Sequence, residues 1–364
     1  MILKTLELKD FRNYEKEQIV FHKKINILTG KNAQGKTNLI EAINLLSLGK
    51  SFRTRKENEL VRFDAEKAVV KGVFEKKDRL HSTEIKLNAE QSGKKEYFVN
   101  DLETTTVSGL LGGVYTIVFS PEDLKIVKGD PETRRRFLDR EIILLKPLYY
   151  HKLKKFRLAL KTRNALLKNE QVSVDLLDIY DRQLAEAASE VMKERREWLT
   201  RLSLAAAKTG SEITNGREEL QIKYKPNLSQ IGDEYSVDDI YRIYVRDRER
   251  DLQYRSTDTG PQRDDFAVYA NGLDLRVYGS QGQQRTAALS LRLAERELIK
   301  EETGEDAILM LDDVMSELDS ERQERLLESF GDNQIFITAA GPFKEEALRL
   351  RAAKVIRIKD GKIA

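Results

Sequence analysis

The segment Gly30-Lys31-Asn32-Ala33-Gln34-Gly35-Lys36-Thr37 constrains this chain more than any other. It fits G-x-x-x-x-G-K-[ST], a loop that works only between a buried strand and the first turn of a helix. Both flanks are present in the sequence. Residues 25–28 form a short apolar strand, and Leu39, Ile40, Ile43 and Leu46 recur at helical spacing in a helix opening at Asn38. Glycine lets such a loop wrap closely enough for consecutive N–H groups to face phosphate oxygens, and the helix N-terminus adds its dipole. In this pattern Lys36 neutralises the β- and γ-phosphates and the Thr37 hydroxyl ligates Mg²⁺. A chain that carries the loop has to supply an α/β sheet to hold it.

A second segment fits the same sheet. Ile308, Leu309, Met310 and Leu311 read as a buried parallel strand with Asp312 and Asp313 at its C-terminal end, where ligands bind in open α/β sheets. As a Walker B strand it assigns Asp312 to Mg²⁺ and Asp313 to polarising the attacking water. The alternative is a strand followed by an acidic helix cap. Beside a phosphate loop the nucleotide reading prevails.

The third segment selects among phosphate-loop classes. Gly279-Ser280-Gln281-Gly282-Gln283 resembles the ABC signature L-S-G-G-Q and directly precedes a long helical pattern ending near Lys300. Serine and glycine at a helix N-terminus make a second phosphate-binding end. An ordinary N-cap with a glycine turn is the competing reading. In ABC ATPases this end meets the γ-phosphate held by the other subunit. Ser316-Glu317-Leu318-Asp319 resembles the D-loop that follows Walker B across that interface.

Around these motifs the first third reads as β-rich, with strands at 3–8, 24–28, 68–74, 84–87 and 114–119. From about 132 to 204 the pattern turns helical, and 230–236 reads as a linker. Strands resume at 266–269, 273–277, 307–311 and 334–338. The expected architecture is an α/β ABC-type head with a mixed sheet, interrupted by a helical insertion. Residues 1–125 and 250–364 form a discontinuous ATPase lobe I, and 126–249 form a helical lobe II.

Charge patterning adds a partner. The net charge of +3 conceals a block, residues 125–168, in which 14 Lys and Arg face 4 acids. A basic block in an otherwise acidic chain suggests a polyanion, although on charge alone a solvated helix face is slightly the better reading. Arg134, Arg135 and Arg136 read either as phosphate contacts or as internal ion-pair partners. The chain has no cysteine and three scattered histidines, His22, His81 and His151, which argues against a thiolate or histidine metal site. No window reaches the ~20 apolar residues of a membrane helix, and no signal peptide is recognisable, so a soluble cytoplasmic protein without a membrane partner is expected.

Three further segments carry a family resemblance. They are Lys50-Ser51-Phe52-Arg53-Thr54; the stretch from Phe119-Ser120-Pro121-Glu122-Asp123-Leu124 to Arg134-Arg135-Arg136-Phe137-Leu138-Asp139; and Gly260-Pro261-Gln262-Arg263-Asp264-Asp265 leading to Tyr278 and the signature. Together they resemble the RecF family over nearly the whole chain. The resemblance implies an SMC-like ABC ATPase head without the long coiled coil. Such proteins bind ATP with Mg²⁺, form ATP-dependent homodimers on double-stranded or gapped DNA without sequence preference, and hydrolyse ATP slowly. They assist loading of RecA at gapped DNA together with RecR and RecO. Two departures bear on turnover. Ala339 stands where ABC ATPases usually have a histidine, and Asp313 replaces the usual glutamate. The shorter carboxylate reaches less far and no imidazole holds the γ-phosphate, so turnover well below the ~10 s⁻¹ enzyme median is expected. Gln262 stands where the family has a histidine, and a Q-loop glutamine is not evident near Ser120.

Other classes fit less well. The nucleotide-binding subunit of a transporter shares the motifs, but the long basic insertion between them is foreign to it. A P-loop kinase or GTPase gives the signature no role, and the guanine-binding N-K-x-D pattern is absent.

Overall fold

The computed structural model describes the chain apart from residues 55, 91–94, 229–233, 316–322, 324–325, 327–329 and 340–352. In chain order the first elements are β1 (Ile2–Phe11), β2 (Tyr14–Val20), β3 (Ile25–Thr29), α1 (Lys36–Leu48), β4 (Lys67–Lys76) and β5 (Arg79–Asn88). There follow β6 (Lys95–Val99), β7 (Leu102–Thr104), β8 (Thr116–Phe119), α2 (Leu124–Lys128), α3 (Pro131–Leu145), α4 (Pro147–Leu166) and α5 (Val174–Thr214). Next are β9 (Leu220–Lys225), α6 (Val237–Arg246), α7 (Arg248–Tyr254), β10 (Asp265–Ala270), β11 (Leu273–Asp274) and α8 (Leu275–Tyr278). The chain closes with α9 (Gln281–Thr303), β12 (Ile308–Leu311), β13 (Ile335–Ala339), β14 (Ala353–Lys359) and β15 (Lys362–Ile363). Two compact units result, Met1–Asp123 with Glu295–Ala364, and Leu124–Ala294.

The first unit is α/β with two sheets. One is antiparallel, ordered β2-β1-β4-β5-β6-β7. Its β4–β5 hairpin turns on Lys77 and Asp78, both at left-handed φ (46° and 59°), the geometry a two-residue turn needs to match strand twist. The other sheet is ordered β15-β14-β3-β13-β12-β8, all parallel except β15. β8, β12 and β13 are buried along their whole length, which is why they read as continuous apolar runs rather than alternating ones. α1 packs against strands of both sheets, and its apolar stripe of Leu39, Ile40, Ile43 and Leu46 is fully buried. The sequence pattern did not mark β2 or β7, which are polar strands with largely exposed residues, nor β6, whose five residues are mostly half-buried.

The second unit is mainly helical. Asp130 caps α3, accepting the Thr133 N–H at 2.8 Å, with Pro131 in the first turn where its missing N–H costs nothing. Ser173 caps the 41-residue α5 in the same way. The unit also holds a small antiparallel sheet, β11-β10-β9. One reading of this region changes, and residues 230–233 of the expected linker lie outside the described residues. Residues 273–277 are not one strand, because after Leu273–Asp274 the Asp274 carboxylate accepts the Arg276 N–H and starts the short α8. α6 falls just beyond the expected linker, burying Ile240, Ile243 and Tyr244 at i, i+3 and i+4 spacing amid many charges.

Candidate functional site

Strand β3 lies in the middle of the parallel sheet and delivers its C-terminal end to the loop at residues 30–35. Gly30 (φ 155°) and Gly35 (φ 118°) hold conformations that side chains rarely adopt. A Cβ at Gly30 would lie 2.3 Å from the Ile358 carbonyl oxygen of β14, so glycine is required there. Lys31, Asn32 and Ala33 are exposed, Gln34 is half-buried, and Ala33 is left-handed at φ 64°. Gly35 and Lys36 are buried at the start of α1. The Lys36 Nζ turns back over the loop and donates to the carbonyls of Gly30 (2.7 Å) and Lys31 (2.9 Å). An ammonium so placed sets positive charge against the concave side of the loop.

The acid pair meets this loop through α1. The Thr37 Oγ1 donates to Asp312 Oδ1 at 2.9 Å, joining the helix start to the end of β12 across 275 residues of sequence. Asp312 is buried at 6% exposure. Burial pushes its carboxyl above the ordinary aspartate range, hydrogen bonds from Thr37 and Thr338 pull it back, and the charge of Asp313 pushes it up again. Asp313 is exposed and left-handed (φ 57°), an uncommon state for a non-glycine residue. Its N–H donates to Thr338 Oγ1 at 2.9 Å, which holds the turn.

Thr338 was not marked by its sequence pattern. It is the penultimate residue of β13, before Ala339, and its hydroxyl lies 3.1 Å from Asp312 Oδ1 and 3.3 Å from Asp313 Oδ1. One hydroxyl thus joins both acids at the position next to the absent histidine. A cluster around Glu41 was missed for the same reason, that its members are distant in sequence. The fully buried Glu41 carboxylate accepts two bonds from Arg12 (2.9 and 2.8 Å) and further bonds from Ser51 and Arg53. Arg53 also donates to Asn38 Oδ1 at 2.8 Å, so the Lys50–Thr54 segment is tied to the first turn of α1.

The signature lies in the second unit. Ser280 N–H donates to Gln283 Oε1 (3.0 Å) and Gln283 N–H donates back to Ser280 Oγ (3.2 Å), a reciprocal capping box ahead of α9. Ser280 and Gly282 are exposed. The D-loop resemblance at residues 316–319 lies outside the described residues. Gln262 donates to the carbonyls of Thr257 (3.2 Å) and Thr259 (3.0 Å), bracing the loop before β10.

The basic stretch divides into two groups. Arg134 is 2% exposed and makes a two-point ion pair with Asp265 (2.6 and 2.7 Å), and Arg135 donates to the Asp264 carbonyl. Arg136 is exposed beside Glu132 and Thr133. On α4, Lys154, Lys155 and Lys161 are exposed. An internal role therefore belongs to Arg134 and Arg135, and an outward one to the α4 lysines.

The arrangement can hold Mg-ATP chemically. Thr37 and Asp312 offer adjacent oxygen ligands, and Mg²⁺ takes only one or two protein ligands when phosphates and water supply the rest. Residues 30–36 supply the backbone and the cation.

Comparison with known proteins follows the same lines. The family described as RecF/RecN/SMC N terminal domain matches residues 2–360. The DNA replication and repair protein RecF of Clostridioides difficile (strain 630) is 39% identical over 367 residues, covering 100% of this chain and 98% of that protein. Its counterpart in Bacillus cereus (strain G9842) is 40% identical over 372 residues, with 100% and 98% covered. Among solved structures, the recombination mediator protein RecF-ATP in the RecFOR pathway superposes with a TM-score of 0.92 at 38% identity, covering 100% of this chain and 97% of that one. An Smc head domain from Pyrococcus furiosus superposes at 0.57 with 18% identity, a likeness of fold alone.

Proposed function

The chain belongs to the RecF family, with the fold of an ABC-type ATPase head, and from that premise we propose that it is an ATP-dependent DNA-binding protein of replication and recombinational repair. The hydrogen bond between Thr37 and Asp312 is the observation that carries the reading. It brings the phosphate loop and the acid strand together as metal chemistry on a nucleotide requires. Mg-ATP bound there would supply the phosphoryl group. Residues 30–35 bind it through backbone N–H groups, Lys36 neutralises it, and Thr37 and Asp312 hold the metal. Asp313, fixed by Thr338, orients the water. In this proposal Ser280, Gly282 and Gln283 meet the nucleotide held by a second copy, so ATP closes a homodimer on DNA. Hydrolysis is slow, because no histidine follows Thr338. The site's role assigns residues 250–294, with the signature, to ATPase lobe I (1–125 and 250–364), although compactness groups them with the residues of lobe II (126–249).

The likeness to a mediator of the RecFOR pathway supports RecR and RecO as partners, with RecA loading at gapped DNA in the cytoplasm as the outcome. The alternatives, a transporter nucleotide-binding subunit or a P-loop kinase or GTPase, lose ground to full-length similarity with RecF proteins. Calorimetric titration with Mg-ATP tests the site. The wild type binds, and Lys36→Ala weakens binding at least about tenfold, as expected when a charged hydrogen-bond donor is removed. Equal affinities for the two proteins contradict the assignment.

A further inference from the structure

The turn that joins β14 to β15 lies against the phosphate loop. Asp360 (φ 49°) and Gly361 (φ 71°) form it. The Asp360 N–H donates to Gln34 Oε1 at 2.7 Å, and the Gly361 N–H donates to the Gln34 carbonyl at 3.0 Å. The same carbonyl accepts Asn13 Nδ2 at 2.9 Å. Asn13 Oδ1 in turn accepts Asn38 Nδ2 at 2.9 Å, and the Tyr14 hydroxyl donates to the Gly35 carbonyl at 3.0 Å. Contact is close enough to exclude a side chain: a Cβ on Gly361 would sit 2.0 Å from the Asn13 carbonyl oxygen. On the same strand, the Ile358 carbonyl crowds Gly30. The Gln34 end of the loop is therefore held by the turn after β14, and the Gly30 end lies closely against β14 itself.

A trans peptide is planar, with its C=O and N–H directed oppositely. The chain has no cis peptide among the described residues. Two donors hold the Gln34 carbonyl outward, so the N–H of Gly35 in that peptide points away from them. Gln34 occupies a position that the loop pattern leaves free, and here both its side chain and its backbone are used.

The geometry points to the Asp360–Gly361 turn, with Asn13, as a positioning brace that presets the phosphate loop before nucleotide arrives. The inference rests on the loop being the nucleotide site. Preorganisation of this kind raises affinity by removing the ordering cost from binding. It acts on the phosphate cradle, so it affects any triphosphate and not only ATP.

The test combines two measurements on wild type, Gly361→Ala, Gly361→Asn and Gln34→Ala. They are amide hydrogen exchange over residues 30–35 in nucleotide-free protein, and dissociation constants for Mg-ATP and Mg-tripolyphosphate. Gly361→Ala is expected to speed exchange in the loop and to weaken both ligands by the same factor, about fivefold or more. Asparagine tolerates left-handed φ but carries a Cβ, so Gly361→Asn should behave as Gly361→Ala does. Gln34→Ala keeps every glycine and loses only the Asp360 link, so it serves if the Gly361 variants do not fold. Its loop should also exchange faster.

Wild-type exchange and affinities in folded Gly361→Ala or in Gln34→Ala overturn the brace. So does recovery in Gly361→Asn, which would reduce Gly361 to a tight-turn residue. A wild type that binds neither ligand refutes the nucleotide reading, while the exchange rates still decide the brace.

Discussion

Single residues carry the site by joining segments far apart in the chain. Thr37 is the plainest case, because its hydroxyl touches Asp312 directly. Thr37→Val keeps the shape and removes the oxygen, so Mg²⁺ should tighten ATP binding much less than in the wild type; titrations with and without Mg²⁺ check this. Buried charge in the second unit gives a prediction about stability. Arg195 is 3% exposed and pairs with Asp139 (2.9 Å) and Asp264 (3.0 Å), which are themselves buried. Removing the guanidinium takes the paired cation from Asp264 and leaves Asp139 only Arg157, at 3.4 Å. Arg195→Leu is expected to lower unfolding free energy by about 3–5 kcal/mol, read from urea denaturation. An unchanged midpoint would mean that the network contributes nothing. The phosphate loop and the acid pair were legible in the sequence because each is a contiguous run. Thr338, Asn13, Glu41 and Arg53 were not, since their roles arise from contacts across the folded sheets.

At the scale of elements, caps decide where helices begin. The Ser280–Gln283 box starts α9 whether or not a nucleotide meets it. Ser280→Ala therefore costs about 1 kcal/mol of stability in the absence of ATP, measurable by denaturant unfolding. Asp130 adds a pH dependence. Hydrogen bonds from the Thr133 N–H hold its carboxyl below the ordinary value of 3.8. Its stabilising effect is thus complete above that value and is lost as pH falls through the lower folded-state value. Asp130→Asn should flatten the acid limb of stability against pH, and an unaltered limb would contradict the cap's charge. Apolar runs such as 308–311 and 335–338 announced their strands because both faces are covered. β2 and β7 were hidden because much of their surface meets water, β6 because it is five mostly half-buried residues without alternation, and α6 because charges surround its few buried residues.

For the whole molecule, the central claim is an ATP-gated clamp on DNA. The exposed Lys154 and Lys155 of α4 belong to the outward part of the basic block. If they face phosphates, replacing both with Glu weakens DNA binding across sequences and lowers the salt slope by about two units. An unchanged slope removes α4 from the groove. Fold class and family were readable from the whole chain, because the motifs lie in chain order along nearly its full length. The partition of the chain has no such marker in sequence, since α9 begins in one compact unit and ends in the other. The most direct measurement is light scattering of the wild type and Ser280→Arg, with and without Mg-ATP, each with and without duplex DNA. The account expects Mg-ATP to turn the wild type into a DNA-binding dimer and to leave Ser280→Arg monomeric. Two proteins that bind ATP and both stay monomeric would contradict the signature assignment and the clamp with it.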